Sequence, residues 1–281
     1  MTRLAPSVWD VHAARWHSVG PPLRPGIADL QAFQRALTNL ACEREHVRAL
    51  LLGVTPELTG LDWPVHSELV AVDHSQAMWR RHWSPPHGIA STMILGEWRQ
   101  MPLRSESMDG VLADGSLSIQ SNSNDLAELL AQLARVLRDE GRLIVRTFVR
   151  PQVRERPQQV IAALRRRECG SFDAFKWRLL MSLHRSSAEG VALNCVHRAF
   201  HRAVPDPREL SQQLGWSEDS IDTIESYRDA RGRYFFPSLA QLRELLREHF
   251  VELDCSVPDY ELGSCCPLLV LSRKARPRRT A

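Results

Sequence analysis

Four short motifs in this 281-residue sequence carry residue types that could do chemistry together. Gly53-Val54-Thr55-Pro56-Glu57 follows a run of leucines, and its glycine lets the backbone come close to a ligand. Asp73 lies about twenty residues on, where an acid at a second strand end can accept both hydroxyls of a ribose. Glu97-Trp98 adds an acid and a flat indole that could lie against an adenine face. Asp114-Gly115-Ser116 adds a further acid beside a second glycine. One such cluster carries little weight. Four in chain order, each closing an apolar run, point to one crevice at the carboxyl ends of neighbouring strands.

Elements that would position them are visible in the pattern. Residues 48–52, 68–72, 92–95, 109–113 and 142–148 are strand-length and nearly all apolar, as strands buried on both faces of a parallel sheet should be. Between the last two, residues 125–137 space Leu126, Leu129, Leu130, Leu133, Val136 and Leu137 for a helix, with Asn124 or Asp125 as its cap and Gly141 beyond its end. Ile27–Cys42 reads as another helix, separated by Gly20-Pro21-Pro22 and Pro25-Gly26 from a piece over 8–17. The strand rhythm stops over 151–236, which reads as helices and loops rich in Arg and His. A helix over 238–250 capped by Ser238 and two strands, 251–255 and 267–272, close the chain. The expectation is α/β: a doubly wound, mostly parallel, seven-stranded Rossmann-like sheet with a helical N-terminal lid and a helical insertion before the last two strands. Its parts are a lid over 1–46, a core over 47–150, a substrate cap over 151–236, the closing helix and strands over 237–273, and a frayed basic tail over 274–281.

Composition narrows the function. Hydrophobic residues are 43% and charged residues 25%, so the chain should fold. A net charge of +3 argues against coating a polyanion and so against nucleic acid as partner. The six cysteines form no C-x-x-C pair, which speaks against a zinc ribbon or disulfide framework, and no metal is expected. No apolar run has membrane-spanning length and no leader is visible, so a cytoplasmic location is the expectation. A homodimer is allowed.

On these motifs, residues 48–149 resemble the core of a class I S-adenosylmethionine-dependent methyltransferase. The matching stretches are Leu51-Leu52-Gly53, Val70-Ala71-Val72-Asp73-His74-Ser75, Gly96-Glu97-Trp98, Met101-Pro102-Leu103, Asp109-Gly110-Val111-Leu112-Ala113-Asp114-Gly115 and the run from Leu133 through Arg135-Val136-Leu137 to Glu140-Gly141-Arg142-Leu143. In the last, Glu140-Gly141 stands for the family's usual glycine pair. The resemblance implies S-adenosylmethionine as cofactor and in-line methyl transfer to a small-molecule acceptor. It implies cofactor contacts from Gly53, Thr55, Glu57, Asp73, His74, Glu97, Trp98, Asp114, Gly115 and, from the lid, Trp16. One departure stands out. The family's first loop reads acid-x-G-x-G-x-G, whereas this chain has Leu51, Gly53, Thr55 and Glu57 at those places, and Pro56 lacks a backbone donor. Glu57 would then meet the cofactor's ammonium group. The same loop lacks the G-x-G-x-x-G a dehydrogenase needs for a pyrophosphate.

Catalytic candidates are His184, His201 and Tyr234. Trp9, His12 and Trp16 share helical spacing and suit either a lid over the crevice or a packing stripe. His197 and His201 share a helix face, without a third metal ligand in sight. Tyr227 and Tyr234 flank Arg231 and Arg233 and suit an acceptor pocket. Arg165-Arg166-Arg167 reads as a solvated face or an anion contact. No N-P-P-Y-like motif follows the fourth strand, which counts against methylation of nucleic-acid amines. Two alternatives remain: a non-catalytic binding or partner subunit on this fold, or an RNA or protein methyltransferase.

Overall fold

The computed structural model describes residues 8–186 and 189–275. Among these residues nine strands appear: β1 (Val47–Leu52), β2 (Ser67–Asp73), β3 (Ala90–Leu95), β4 (Met108–Asp114), β5 (Leu137–Arg146), β6 (Val191–Ala192), β7 (Arg233–Tyr234), β8 (Phe250–Ser256) and β9 (Leu268–Arg273). Seven form one sheet in the order β3-β2-β1-β4-β5-β9-β8. The first five are mutually parallel, and β9 opposes both β5 and β8. The chain leaves β1 toward β2 on one side and reaches β4 on the other, so the strand order reverses between β1 and β4. That is where an open α/β sheet offers a crevice.

Eleven α-helices accompany the strands among the described residues: α1 (Val8–Ala14), α2 (Ile27–Cys42), α3 (Pro56–Thr59), α4 (Gln76–His82), α5 (Ser123–Val136), α6 (Pro157–Arg165), α7 (Phe172–Leu183), α8 (Leu193–Ala203), α9 (Pro207–Leu214), α10 (Glu218–Ile221) and α11 (Leu239–Leu246). Alternation along β1 decides which face each side chain serves. Leu50 and Leu52 join Leu126, Leu129, Leu130 and Leu133 of α5 on one face. Ala49 and Leu51 join Phe33, Leu37 and Leu40 of α2 on the other. The inserted helices pack round their own core of Phe172, Phe175, Phe200, Ile221 and Tyr227.

Several boundaries differ from the sequence reading. Helix α5 starts earlier, and its cap is Asn122, whose side chain accepts the Asn124 and Asp125 backbone N–H groups at 2.9 and 3.0 Å. Ser238 caps α11 as expected, but that helix stops at Leu246 and Phe250 opens β8. Strand β3 lies at a sheet edge and is half exposed, not buried on both faces. A small antiparallel pair, β6 with β7, adds a second sheet inside the insertion. Glu140 has φ of 60°, a left-handed conformation, at the place of the family's first glycine. The basic tail beyond residue 275, including Arg276 to Arg279, lies outside the described residues.

Candidate active site

The carboxyl ends of β1, β2, β4 and β5 lie level with one another, because Leu52 pairs with both Val72 and Ala113, and Asp114 pairs with Arg146. Immediately beyond β1, Gly53 takes φ of +84°, which an L side chain resists. A Cβ there would stand 3.2 Å from the Trp98 ring and 3.6 Å from Asp73 Oδ2. The glycine therefore keeps open a gap between these two residues. Asp73 ends β2 and latches the loop after β1: its Oδ2 accepts the Val54 N–H at 3.0 Å and its Oδ1 the Ser75 N–H at 2.7 Å. Burial raises its pKa, against the two N–H groups and His74, which favour the carboxylate. Each oxygen keeps acceptor capacity for a ligand. Trp98 is fixed through its indole N–H, which donates to the Val72 carbonyl at 2.6 Å.

Across the reversal point, Asp114 meets Arg146. The two stand opposite in register, and the guanidinium bonds both carboxylate oxygens, at 2.6 and 3.1 Å. Arg146 is fully buried. It also donates to the Pro22 carbonyl at 2.8 Å and to Tyr260 Oη at 3.2 Å, with Asp29 Oδ2 at 3.6 Å. Tyr260 in turn donates to Asp29. Burial works against the charge on Arg146, but Asp114 and Asp29 outweigh it and drive its pKa upward. Burial pushes Asp114 up while Arg146 opposes. The bidentate geometry and the permanent charge of a guanidinium identify an ionised pair. Next to it Gly115, with φ of +67°, leaves space where a Cβ would lie 3.1 Å from the Phe148 ring.

The N-terminal segment runs over this floor and is tied down at five points. His82 Nε2 donates to the Ala13 carbonyl at 2.7 Å, and Arg15 bonds the Asp222 carbonyl. The Gly20 N–H donates to Asp173 Oδ2 at 2.7 Å, Pro22 is held by Arg146, and Arg24 bonds Glu57 at 2.5 Å while donating to the Trp16 carbonyl at 3.0 Å. Asp173 belongs to a second buried ion pair, with Lys176 Nζ 2.9 Å from its Oδ1. That ammonium is fully buried and also donates to Thr223 at 2.6 Å. Between floor and segment lies a cavity of about 820 Å³ including its mouth.

Gly53, Thr55, Asp73, His74, Trp98, Asp114, Gly115, Trp16 and Tyr234 all line this cavity. Trp9, His12, Phe148, Trp177 and Tyr227 join them. Glu97 is exposed and borders an adjoining hollow with His74 and Trp98. Glu57 is not on the cavity wall; it is engaged by Arg24, so the ammonium contact expected of it has a competing partner. His184 and His201, expected as catalytic candidates, are also not on this wall. His184 is fully buried beside Phe235 and Phe236, and neither ring nitrogen has a hydrogen bond among the described residues. His201 and His197 instead donate to Glu225, at 2.7 and 3.2 Å. Glu225 is thus the third member of a cluster that the sequence did not suggest, with all three ligand atoms within 4.8 Å of one another. Arg228 also bonds this carboxylate. Burial opposes its ionisation, but the bonds from Arg228, His201 and His197 hold it at about 2. Arg166 of the arginine run pairs with Glu168 in solvent.

Residues 53–145 match the family model described as a methyltransferase domain. No curated protein matches the chain. Among solved structures, a Rhodobacter sphaeroides protein described as a candidate zinc-dependent alcohol dehydrogenase aligns with a TM-score of 0.61 and 13% identity, over 95% of this chain and 97% of that one. At that identity the likeness concerns the fold. Two looser matches have TM-scores of 0.48. One is the Bradyrhizobium japonicum N-methyltransferase NodS with S-adenosylhomocysteine, at 10% identity over 95% of this chain and 100% of that one. The other is the Burkholderia thailandensis 1,6-didemethyltoxoflavin-N1-methyltransferase, at 14% identity over 98% of this chain and 93% of that one.

Proposed function

We propose, from the match of residues 53–145 to a methyltransferase domain, that the chain is a class I S-adenosylmethionine-dependent methyltransferase that methylates a small-molecule acceptor by in-line transfer. The observation that carries this reading is the covered crevice at the reversal point of the sheet. Its chemistry suits the cofactor. Gly53 leaves a cradle that a Cβ would fill, Asp73 keeps oxygens able to accept ribose hydroxyls, and the Trp98 indole supplies a flat face. The bound cofactor brings an activated methyl group on a sulfonium. The protein has then to align a nucleophile and exclude water. Trp9, Trp16, Phe148 and Trp177 offer aromatic faces to a cation and an apolar lining that keeps water out. We read the N-terminal segment as a lid and the 151–236 region as a cap; the five tethers above support a closed arrangement around a compact acceptor.

The test is calorimetric titration with S-adenosylmethionine and S-adenosylhomocysteine. We expect micromolar binding, weakened in Asp73→Ala by about 1–3 kcal/mol, roughly 5- to 150-fold. An unchanged affinity in a folded variant would remove Asp73 from the site. The second reading, a non-catalytic partner subunit, draws on the Thr55-Pro56-Glu57 departure in the first loop. Absence of binding to folded wild-type protein would favour it.

A further inference from the structure

We propose that the acceptor is a neutral, planar aromatic compound whose nucleophile is a hydroxyl or ring N–H, and that His12 receives its proton. The inference rests on the methyltransferase reading and specifies the substrate side of the same cavity.

Shape comes first. The cavity wall includes the rings of His12, Phe148, Trp177, Tyr227 and Tyr234, together with Ile119. The rings form edge-to-face and tilted contacts: Phe148 lies 4.7 Å from Trp177, Trp177 5.8 Å from Tyr234, and His12 5.9 Å from Tyr227. Such a wall favours a flat ring over an aliphatic chain of the same volume.

Charge comes second. Of the two carboxylates on the wall, Asp114 is paired with Arg146, and Asp73 is held by two backbone N–H groups and is the acid given above to the cofactor's ribose. Burial keeps the Tyr227 and Tyr234 phenols protonated. The buried Lys176 ammonium acts electrostatically on His12, and the cofactor's sulfonium would add a second positive charge. A cationic acceptor would face both with no free carboxylate to receive it.

His12 supplies the directed contact. It is 9% exposed, lines the cavity, and neither ring nitrogen bonds a described residue. Burial and the Lys176 charge push its pKa down to about 3, so the ring is neutral with a lone pair available. As the nucleophile bonds the methyl carbon, the carbon–sulfur bond breaks and its electron pair stays on sulfur. The nucleophile's proton passes to His12 and then to water. A freshly methylated, still protonated acceptor is a far stronger acid than imidazolium, so even this weak base accepts. Net charge in the cavity is conserved, since the imidazolium appears as the sulfonium disappears.

Three bicyclic probes without a ring N–H separate the terms: 5-hydroxybenzofuran, benzofuran and the cationic 5-(aminomethyl)benzofuran, titrated calorimetrically into the full chain with and without S-adenosylhomocysteine. We expect 5-hydroxybenzofuran to bind roughly tenfold tighter than benzofuran and benzofuran tighter than the amine. His12→Phe should bring 5-hydroxybenzofuran down to benzofuran while leaving benzofuran unchanged. His12→Gln, which keeps an acceptor oxygen, should retain the hydroxyl preference yet lose conversion to 5-methoxybenzofuran, read by mass spectrometry with S-adenosylmethionine, by 100-fold or more. Equal or tighter binding of the amine overturns the substrate class, and an unaltered hydroxyl preference in His12→Phe overturns the role of His12. Failure of S-adenosylhomocysteine itself to bind sinks the methyltransferase reading instead, and the probe titrations without it still decide the aromatic subsite.

Discussion

Arg146→Met is expected to lower the free energy of unfolding by about 3–5 kcal/mol, the range for removing one partner of a buried ion pair. The size follows from what is left behind. Asp114 and Asp29 are 7% and 1% exposed at their side chains and would lose their common counter-charge. The Pro22 carbonyl and Tyr260 would lose a donor as well. Desolvation that the ion pair now offsets would become a net cost. Urea midpoints at neutral pH measure it, with Arg166→Met as control. The Arg166 pair with Glu168 is more than half exposed at both side chains, so that substitution should leave the midpoint where it is. Adding Asp114→Leu to Arg146→Met should recover part of the loss, because it removes one stranded charge. Equal shifts in Arg146→Met and the control would show that the network contributes nothing to stability.

The network also marks the limit of what the sequence discloses. Asp114 is legible as an acid closing an apolar run, but its partner is not. Arg146 sits inside such a run, and only the parallel register places it opposite Asp114. Asp73 is legible by spacing, whereas its two backbone donors depend on a loop conformation that spacing does not specify. Trp9, His12 and Trp16 show their common face through helical periodicity. That this face turns toward the crevice depends on tethers such as Gly20 to Asp173, 153 residues apart. The same distance problem conceals Glu225, which lies 24 and 28 residues from His201 and His197 across irregular chain. His184 shows the converse: residue type suggests a base, while the fold packs the ring against two phenylalanines and off the cavity wall. Strands β6 and β7 have two residues each and offer no period to detect. The core was readable because its alternation is dense and local; the covering of the crevice is built from single long-range contacts.

Acidification from pH 7.5 to 5 is expected to cost stability through the two buried histidines, and the window identifies them. His12 is pushed down to about 3, first by burial and then by Lys176. His184 is pushed down to about 4, first by burial and then by Arg150, Arg154 and Arg233. The unfolded chain protonates both near pH 6.5, so below that value it binds protons the folded chain refuses. Their stabilising contribution is therefore present above about pH 6.5, falls as the pH drops, and is gone below the folded values. At pH 5 the loss is about 2 kcal/mol for His12 and about 1–2 kcal/mol for His184, whose guanidinium neighbours are partly solvated. Buried Asp73 and Asp114 act with the opposite sign, since burial raises both. Urea midpoints for wild type and His12→Phe at the two pH values cancel that contribution, because both proteins share it. The variant should lose about 2 kcal/mol of the pH dependence; parallel curves would mean that His12 is not held neutral. The acid sensitivity and the proposed chemistry then have one origin. The burial and the Lys176 charge that make protonating His12 costly are what leave its lone pair facing the cavity at neutral pH.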